Sequence, residues 1–329
     1  MIDHDSIKKF RELVEQSEHI ALFGHDNPDG DALWSMLWLG GLIEKMDKKV
    51  AYFASPKASV IFDFLPGIEK IQTKFDYANK YDLLLFVDFS PYNRTIFSAG
   101  KYDYFDQKKL IVIDHHMGDT PPHALVLKDE EADSNCEWIF ENTREIWSEY
   151  YDSMIATYLY MGLITDTGNF QYDKQWDRSL RNAADLVSLW ADKWLLTTSF
   201  FWTLHLEQLQ FFNTVFPRLK KVGNIGSIYF TSDDYLPLWL DKEQAGWYLV
   251  AMIQKIIWID FFLICRGEDN VLKISLRSKN KNMSAQAVAQ FLWWWGHFYA
   301  AWAKIELLTG EDPLERIDAL VEKIPSLFI

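Results

Sequence analysis

Three short runs of unbroken apolar residues, each stopping at imidazole or carboxylate side chains, set the strongest limit on how this chain can fold. They are His19-Ile20-Ala21-Leu22-Phe23, closed by Gly24-His25; Leu83-Leu84-Leu85-Phe86-Val87, closed by Asp88; and Leu110-Ile111-Val112-Ile113, closed by Asp114-His115-His116. A strand that is apolar at every position is buried on both faces, as parallel strands between helical layers are. Helical patterns such as Ala32 to Met46 separate the runs, so the first half is expected to be α/β with a parallel sheet. Ligands of such sheets gather beyond the carboxyl ends of the strands, where these polar residues fall.

A chain of 329 residues is long enough for two domains with separate cores. We place the parallel-sheet domain at 1–187, a helical linker at 188–221, and a smaller α/β domain at 222–329. Leu204 to Phe216 reads as one connecting helix closed by Pro217. In the second domain Ser227 to Phe230, Ile259 to Cys265 and Val271 to Leu276 read as strands, and Glu243 to Ile256 and Ser284 to Leu292 as helices.

Composition narrows the partners. With 47 acidic against 33 basic residues the formal charge is -14, which repels a long duplex nucleic acid but allows a short one held by local positive groups. Two cysteines, Cys136 and Cys265, are too few for a disulfide framework. The charged amphipathic stretch Met1 to Glu18 is unlike a signal peptide, and no apolar run approaches the roughly eighteen residues of a membrane span. A cytoplasmic protein without membrane partners is expected, with a homodimer as one open oligomeric state.

The chemistry sits in four places. His25-Asp26-Asn27-Pro28-Asp29-Gly30-Asp31 follows the first strand and opens a helix, so Asp29 and Asp31 can converge on neighbouring cations; alone, this is also how a capped helix begins. An EF-hand reading fails because Pro28 takes a ligand position and no Glu closes the loop. Asp88 alone could be a turn residue, and Asp166, in Ile164-Thr165-Asp166-Thr167-Gly168-Asn169-Phe170, could merely cap an apolar segment. The adjacent imidazoles of Asp114-His115-His116 at a buried strand end are costly without partners. Together, His25, Asp29, Asp31, Asp88, His115 and Asp166 form a mixed nitrogen and oxygen set suited to two divalent cations of the manganese or magnesium type. No Walker lysine loop, dinucleotide glycine fingerprint or nucleophile elbow competes.

The ordered set His25-x-Asn27-Pro28-Asp29-Gly30-Asp31-Ala32, Asp88, Asp114-His115-His116 and Thr165-Asp166-Thr167-Gly168-x-Phe170 resembles the four motifs of the DHH phosphoesterase superfamily. Ser275-Leu276-Arg277-Ser278 and Gly296-His297-x-x-Ala300-Ala301 are similar to substrate-binding motifs of the DHH-associated C-terminal domain. Length and both domains look most like NrnA-type oligoribonucleases that also dephosphorylate adenosine 3',5'-bisphosphate (pAp).

The resemblance implies an active site in the cleft between the domains. It implies that His25 and Asp29 hold one metal, that Asp31, His115 and Asp166 hold the other, and that Asp88 bridges them. Manganese is the expected ion, with magnesium as the alternative. Asp114 would support the histidines and His116 would donate to a phosphoryl oxygen. Arg277, Ser278, Gly296 and His297 would bind substrate, with Arg94 as a further phosphate contact that could equally be an ordinary surface arginine. Lys273, Arg277, Lys279 and Lys281 form the densest positive charge, which suits one or a few phosphates or, on the plainer reading, a solvated strand edge. Two other functions remain open: a pyrophosphatase or exopolyphosphatase, and a non-catalytic nucleotide-binding protein with a tryptophan-blocked pocket.

The tryptophans depart from the family pattern. Its C-terminal motif is a Gly-Gly-Gly-His run followed by Ala-Ala-Gly, whereas this chain has Trp294-Trp295-Gly296-His297-Phe298-Tyr299-Ala300-Ala301-Trp302. Trp34 likewise stands where the family has a small residue. Tryptophan, ordinarily the rarest residue, equals glycine at 15 each, and exchanging about nine would return glycine to its average of about 7%. One reading is an aromatic cluster that stacks bases. The other is a UGA codon, read as glycine in one genetic code and as tryptophan in another. Trp190, Trp194, Trp202, Trp239, Trp247 and Trp258, which read as helix ends or loops, extend the candidate set.

Overall fold

In the computed structural model, which describes residues 4–88, 97, 101–116, 120–121, 123–171, 176–296 and 298–328, the three apolar runs are neighbouring parallel strands. The chain divides into two compact units, Met1–Ala58 with Phe62–Thr203, and Ser59–Ile61 with Leu204–Ile329. The segment 188–221 read as a linker is split between them, since the division falls after Thr203.

In the first unit the elements run α1 (His4–Glu15), β1 (His19–Phe23), α2 (Gly30–Glu44), β2 (Lys49–Phe53), β3 (Ile71–Gln72), β4 (Leu83–Val87), α3 (Tyr102–Asp106) and β5 (Lys109–Asp114). They continue through β6 (Leu125–Lys128), α4 (Asn135–Thr143), α5 (Ser153–Asp166), α6 (Trp176–Ser188) and α7 (Lys193–Leu196). The sheet order is β3-β2-β1-β4-β5-β6 and every pair is parallel. Phe23 lies beside Phe86, and Val87 beside Ile113, so β1, β4 and β5 end level with one another. That register brings His25, Asp88 and Asp114 to His116 to the carboxyl end of the sheet.

Both faces are packed. On one, Phe23, Phe53, Phe86 and Phe105 build an aromatic core, with Phe23 stacked on Phe86 at 4.9 Å. On the other lies α2, apolar almost all the way round and correspondingly buried, as a helix enclosed by other elements must be. It begins where Asp29 accepts a hydrogen bond from the Ala32 N–H at 3.1 Å.

The second unit contains α8 (Leu206–Val215), β7 (Lys220–Val222), β8 (Ile225–Thr231), α9 (Ser232–Tyr235), α10 (Lys242–Ile253), β9 (Phe261–Glu268) and β10 (Val271–Ser278). It ends with α11 (Ala285–Phe291), β11 (Trp295–Gly296), β12 (Ala300–Glu306) and α12 (Pro313–Lys323). Its sheet is mixed, in the order β11-β12-β10-β9-β8-β7, with only β8 and β9 parallel. Along β10, Leu272, Ile274, Leu276 and Ser278 are buried, while Lys273, Ser275 and Arg277 point to the other face.

Candidate metal centre

Each part of the site is placed by a strand end or a helix end. His25 and Asp29 come from the loop between β1 and α2, Asp31 from the first turn of α2, Asp88 from the end of β4, His115 and His116 from the end of β5, and Asp166 from the last residue of α5. Their donor atoms form three overlapping groups, each within 4.8 Å: His25, Asp29 and Asp88; Asp31, His115 and Asp166; and Asp88, His115 and His116. Asp88 therefore belongs to two groups, facing His25 Nε2 at 3.7 Å and His115 Nε2 at 3.4 Å. Asp29 lies 3.6 Å from His25 Nε2, and Asp31 and Asp166 lie 3.7 and 3.5 Å from His115 Nε2.

The imidazoles are oriented by their other nitrogens. His115 Nδ1 is 3.2 Å from the Ala132 carbonyl and His25 Nδ1 is 2.9 Å from the Asp26 carbonyl, so each Nδ1–H donates and each Nε2 is turned toward the carboxylates. His116 Nδ1 contacts Asp114 at 2.9 Å. Asp114 thus supports His116 directly, while His115 is held by a backbone carbonyl instead.

Electrostatics inside the pocket are strongly perturbed. Burial by itself lowers the pKa of His25, but Asp29 and Asp88 outweigh it and raise the imidazole to about 9. Burial and then the Asp88 charge raise Asp31 to about 7, against the pull of His115. His115 is raised despite its burial, because Asp88, Asp166 and Asp31 surround it. Burial also opposes ionisation of Asp114, yet the hydrogen bond from His116 holds it below the ordinary carboxylate range.

These residues fit divalent cations. Both carboxylate oxygens of Asp88 are buried without a hydrogen-bond partner among the described residues, an expensive state for a carboxylate unless a cation faces it. The remaining donors are carboxylate oxygens and imidazole nitrogens, a mixed set that divalent cations accept.

Several parts of the surroundings are missed by motif reading. Asp31 accepts from the N–H groups of Asn135 at 2.5 Å and Cys136 at 3.1 Å, so the N-terminus of α4 grips a site carboxylate. The Ser134-x-x-Glu137 spacing marks that helix start, and Ser134 does cap it, accepting from the Glu137 N–H at 3.0 Å. Nothing in the spacing links it to Asp31. Behind it, Arg178 is paired with Asp129 at 2.8 Å and Glu141 at 2.6 Å.

Of the substrate-binding candidates, Arg277 lies on the partly buried face of β10 opposite Leu276, its Nη1 donating to the Leu276 carbonyl at 2.8 Å. Ser278 is buried and its hydroxyl donates to the Asn280 carbonyl at 3.1 Å, so it shapes the turn after β10. Gly296 pairs with Ala301 at φ 150°, and a Cβ there would lie 2.4 Å from Ala301 Cα, so only glycine fits. Arg94 and His297 lie outside the described residues. The basic run is less free than its composition suggests: Lys273 is paired with Glu268, and Lys279 donates to the Ile256 carbonyl at 2.7 Å.

Residues 19–163 match the DHH family, N-terminal domain. The bifunctional oligoribonuclease and PAP phosphatase NrnA of Thermus thermophilus is 25% identical over 294 residues, 89% of this chain and 86% of that protein. The protein of the same name from Mycoplasma genitalium is 27% identical over 289 residues, 86% of this chain and 88% of its own. Among solved structures, an exopolyphosphatase-related protein of Bacteroides fragilis has a TM-score of 0.85 at 22% identity, covering 99% of this chain and 98% of that one. RecJ of Thermus thermophilus in complex with Mn2+ has a TM-score of 0.54 at 14% identity, covering 99% of this chain and 55% of that one. The ordered motifs and the level strand ends agree with that match, so residues 19–163 are a DHH-family N-terminal domain, that of a phosphate-ester hydrolase.

Proposed function

We propose that this chain is a two-metal hydrolase of short oligonucleotides and of nucleotide 3'-phosphates such as pAp. The observation that carries the reading is Asp88, a buried carboxylate whose oxygens accept no hydrogen bond among the described residues and face His25 on one side and His115 on the other. In this reading His25 and Asp29 hold one cation, Asp31, His115 and Asp166 the other, and Asp88 both. Two such cations, when bound, supply Lewis acidity toward the phosphoryl group and toward an attacking water. Manganese is favoured by the nitrogen and oxygen donors and by RecJ, a fold relative solved with that ion.

The chain's own groups do the rest. His116, held by Asp114 at the mouth of the group and part-exposed, donates a hydrogen bond to a phosphoryl oxygen. Arg277 binds a terminal phosphate through its planar fork, with Ser278, Gly296 and His297 as the further substrate-binding residues of this reading. The substrate class follows the relatives named as oligoribonuclease and PAP phosphatase, and the charge of -14 favours short ligands over long strands. No helix among the described residues is long and apolar enough to cross a membrane, and both cysteines are free and buried. A cytoplasmic location agrees with both.

A panel of pAp, a 5'-phosphorylated dinucleotide and pyrophosphate, each with manganese, tests the proposal. Turnover of the first two is expected. Turnover of pyrophosphate alone would transfer the assignment to the pyrophosphatase reading, and binding of nucleotide without turnover to the non-catalytic one.

A further inference from the structure

We propose that Asn135 is a positioning residue that sets Asp31 against Asp88, an inference that rests on the two-metal reading. Asn135 is fully buried at the first position of α4 and reaches the Asp31 carboxylate and the Asp88 backbone at once. Its backbone N–H donates to Asp31 Oδ2 at 2.5 Å. In the amide orientation that satisfies both ends, Nδ2 donates to the Ile113 carbonyl at 3.2 Å, and Oδ1 accepts from the Asp88 N–H at 3.2 Å and from the Ser35 hydroxyl at 3.0 Å. The φ of Asp88, 54°, is left-handed, a conformation that Asp adopts more readily than most L-residues but still at some cost, and the contacts to its N–H hold it there. One side chain therefore ties α2, the ends of β4 and β5, and the start of α4 into a single frame.

Titrating the metal-free protein with Mn2+, read by calorimetry and by the exchange-coupled electron paramagnetic resonance signal of two nearby ions, tests this. Asn135→Ala should weaken the second equivalent about tenfold or more and remove the coupled signal, whereas Ser35→Ala should retain both. Asn135→Ala with wild-type affinities and an intact coupled signal overturns the role, even where the variant is less stable. A wild-type protein that binds no second ion overturns the two-metal reading itself.

A separate set of observations concerns the tryptophans, and the geometry points to glycine as the natural residue at positions 190, 239, 258 and 293. Among the described residues, ten that are not glycine have left-handed φ: five are Asn or Asp, which tolerate it, one is Phe170, and the other four are Trp190, Trp239, Trp258 and Trp293 at 67°, 61°, 66° and 64°. The four indoles are 80%, 93%, 79% and 93% exposed, so burial does not compensate for the strain.

Three of the four complete the same helix-ending motif, in which a left-handed residue lies between two backward hydrogen bonds. At Trp190 the bonds are Trp190 N–H to Val187 and Ala191 N–H to Leu186, at 3.0 and 3.1 Å; at Trp239 they are Trp239 N–H to Leu236 and Leu240 N–H to Tyr235, at 3.0 and 3.3 Å. At Trp293 they are Trp293 N–H to Gln290 and Trp294 N–H to Ala289, at 2.9 and 2.8 Å. The chain supplies its own control. After α5 the same pair, Gly168 N–H to Thr165 and Asn169 N–H to Ile164, closes on Gly168 at φ 57°. Of the other candidates, Trp194 lies in the first turn of α7, Trp247 lies inside α10 rather than at an end or in a loop, and Trp202 has φ -100°; none of the three is left-handed, so the backbone does not demand glycine there.

The proposal is that these four codons are UGA, read as glycine in the source organism. Sequencing the gene and peptide mass spectrometry of the protein from its own cells test it. Glycine at all four positions is expected, and UGG codons or tryptophan-mass peptides there overturn it. As a physical check, the chain with the four glycines should melt at least about 5 °C above the chain as written; an equal or lower Tm would show that the strain argument is wrong.

Discussion

Gly162→Ala should destabilise the protein and loosen its metal centre, although alanine is the better helix former. Gly162 lies inside α5, where replacing glycine by alanine ordinarily gains about 1 kcal/mol. Here a Cβ would lie 2.2 Å from Cys136 Sγ, 2.7 Å from Cys136 Cβ and 2.8 Å from Asp31 Oδ1. Sulfur and carboxylate are both fixed by buried contacts, since Cys136 Sγ is 3.3 Å from Ser35 Oγ and Asp31 accepts two backbone N–H groups. Overfilling of this kind costs roughly 1–3 kcal/mol, and three simultaneous overlaps belong at the upper end. The net expectation is a loss of about 1–2 kcal/mol after the helix-propensity gain. Gly246, inside α10 with nothing within 4 Å of its added Cβ, is the matched control and should gain about 0.5–1 kcal/mol on the same change. Urea denaturation of both variants, with Mn2+ titration of each, reads the two signs. A Gly162→Ala protein that gains stability as Gly246→Ala does, or that binds two ions as the parent does, would refute the argument that α5 touches Asp31 through this glycine.

Three further outcomes are expected. Asp88→Ala should abolish hydrolysis and reduce occupancy at both metal positions, because its two oxygens face both groups of donors; near-normal turnover with full metal content would sink the bridging role. Arg277→Ala should raise KM for substrates with a terminal phosphate far more than for a chromogenic ester, and equal losses on both would indicate a folding defect instead. For Asp234, partial burial opposes ionisation but is outweighed by the paired bonds from Arg218 at 2.7 and 2.8 Å, which depress its pKa. The stabilisation is then complete above the unfolded value of about 3.9 and lost as pH falls through the lower folded value. The gap in urea midpoint between wild type and Asp234→Asn should be open at pH 7 and narrow toward pH 3; a constant gap would show that ionisation is not its source.

The residues that become β1, β4 and β5 were legible because strands enclosed on both faces carry an unbroken apolar run, and their polar terminators could be read as a group once a parallel sheet was inferred. β2, β6 and β12 were not, because their apolar runs of three or four residues are too short to be told from a helix segment and they are only partly buried. Asp29, Asp31, Asp88, His115 and Asp166 announced themselves as ionisable groups at element ends. Asn135 and Gly162 did not: one acts partly through its backbone N–H, the other through the side chain it lacks, and neither property has a spacing to recognise. The basic run on β10 was over-read for a related reason, since Glu268, the partner of Lys273, lies on the adjacent strand.

Left-handed backbone marks two opposite situations in this molecule. At Asp88 the strained conformation is held by the Ile113 carbonyl at 2.9 Å and lies next to the Asn135 amide, and it aims a carboxylate between His25 and His115. Strain there is retained because the surroundings determine it and the direction it gives the side chain has a use. At Trp190, Trp239, Trp258 and Trp293 the same region of φ terminates or turns an exposed segment, a task that requires no side chain. A local rule broken with compensating contacts signals function, and the same rule broken at four exposed positions by one residue type signals the residue type itself. Both sets of positions have comparable backbone angles, so the angle alone does not distinguish them; what the neighbouring atoms do for the strained residue does.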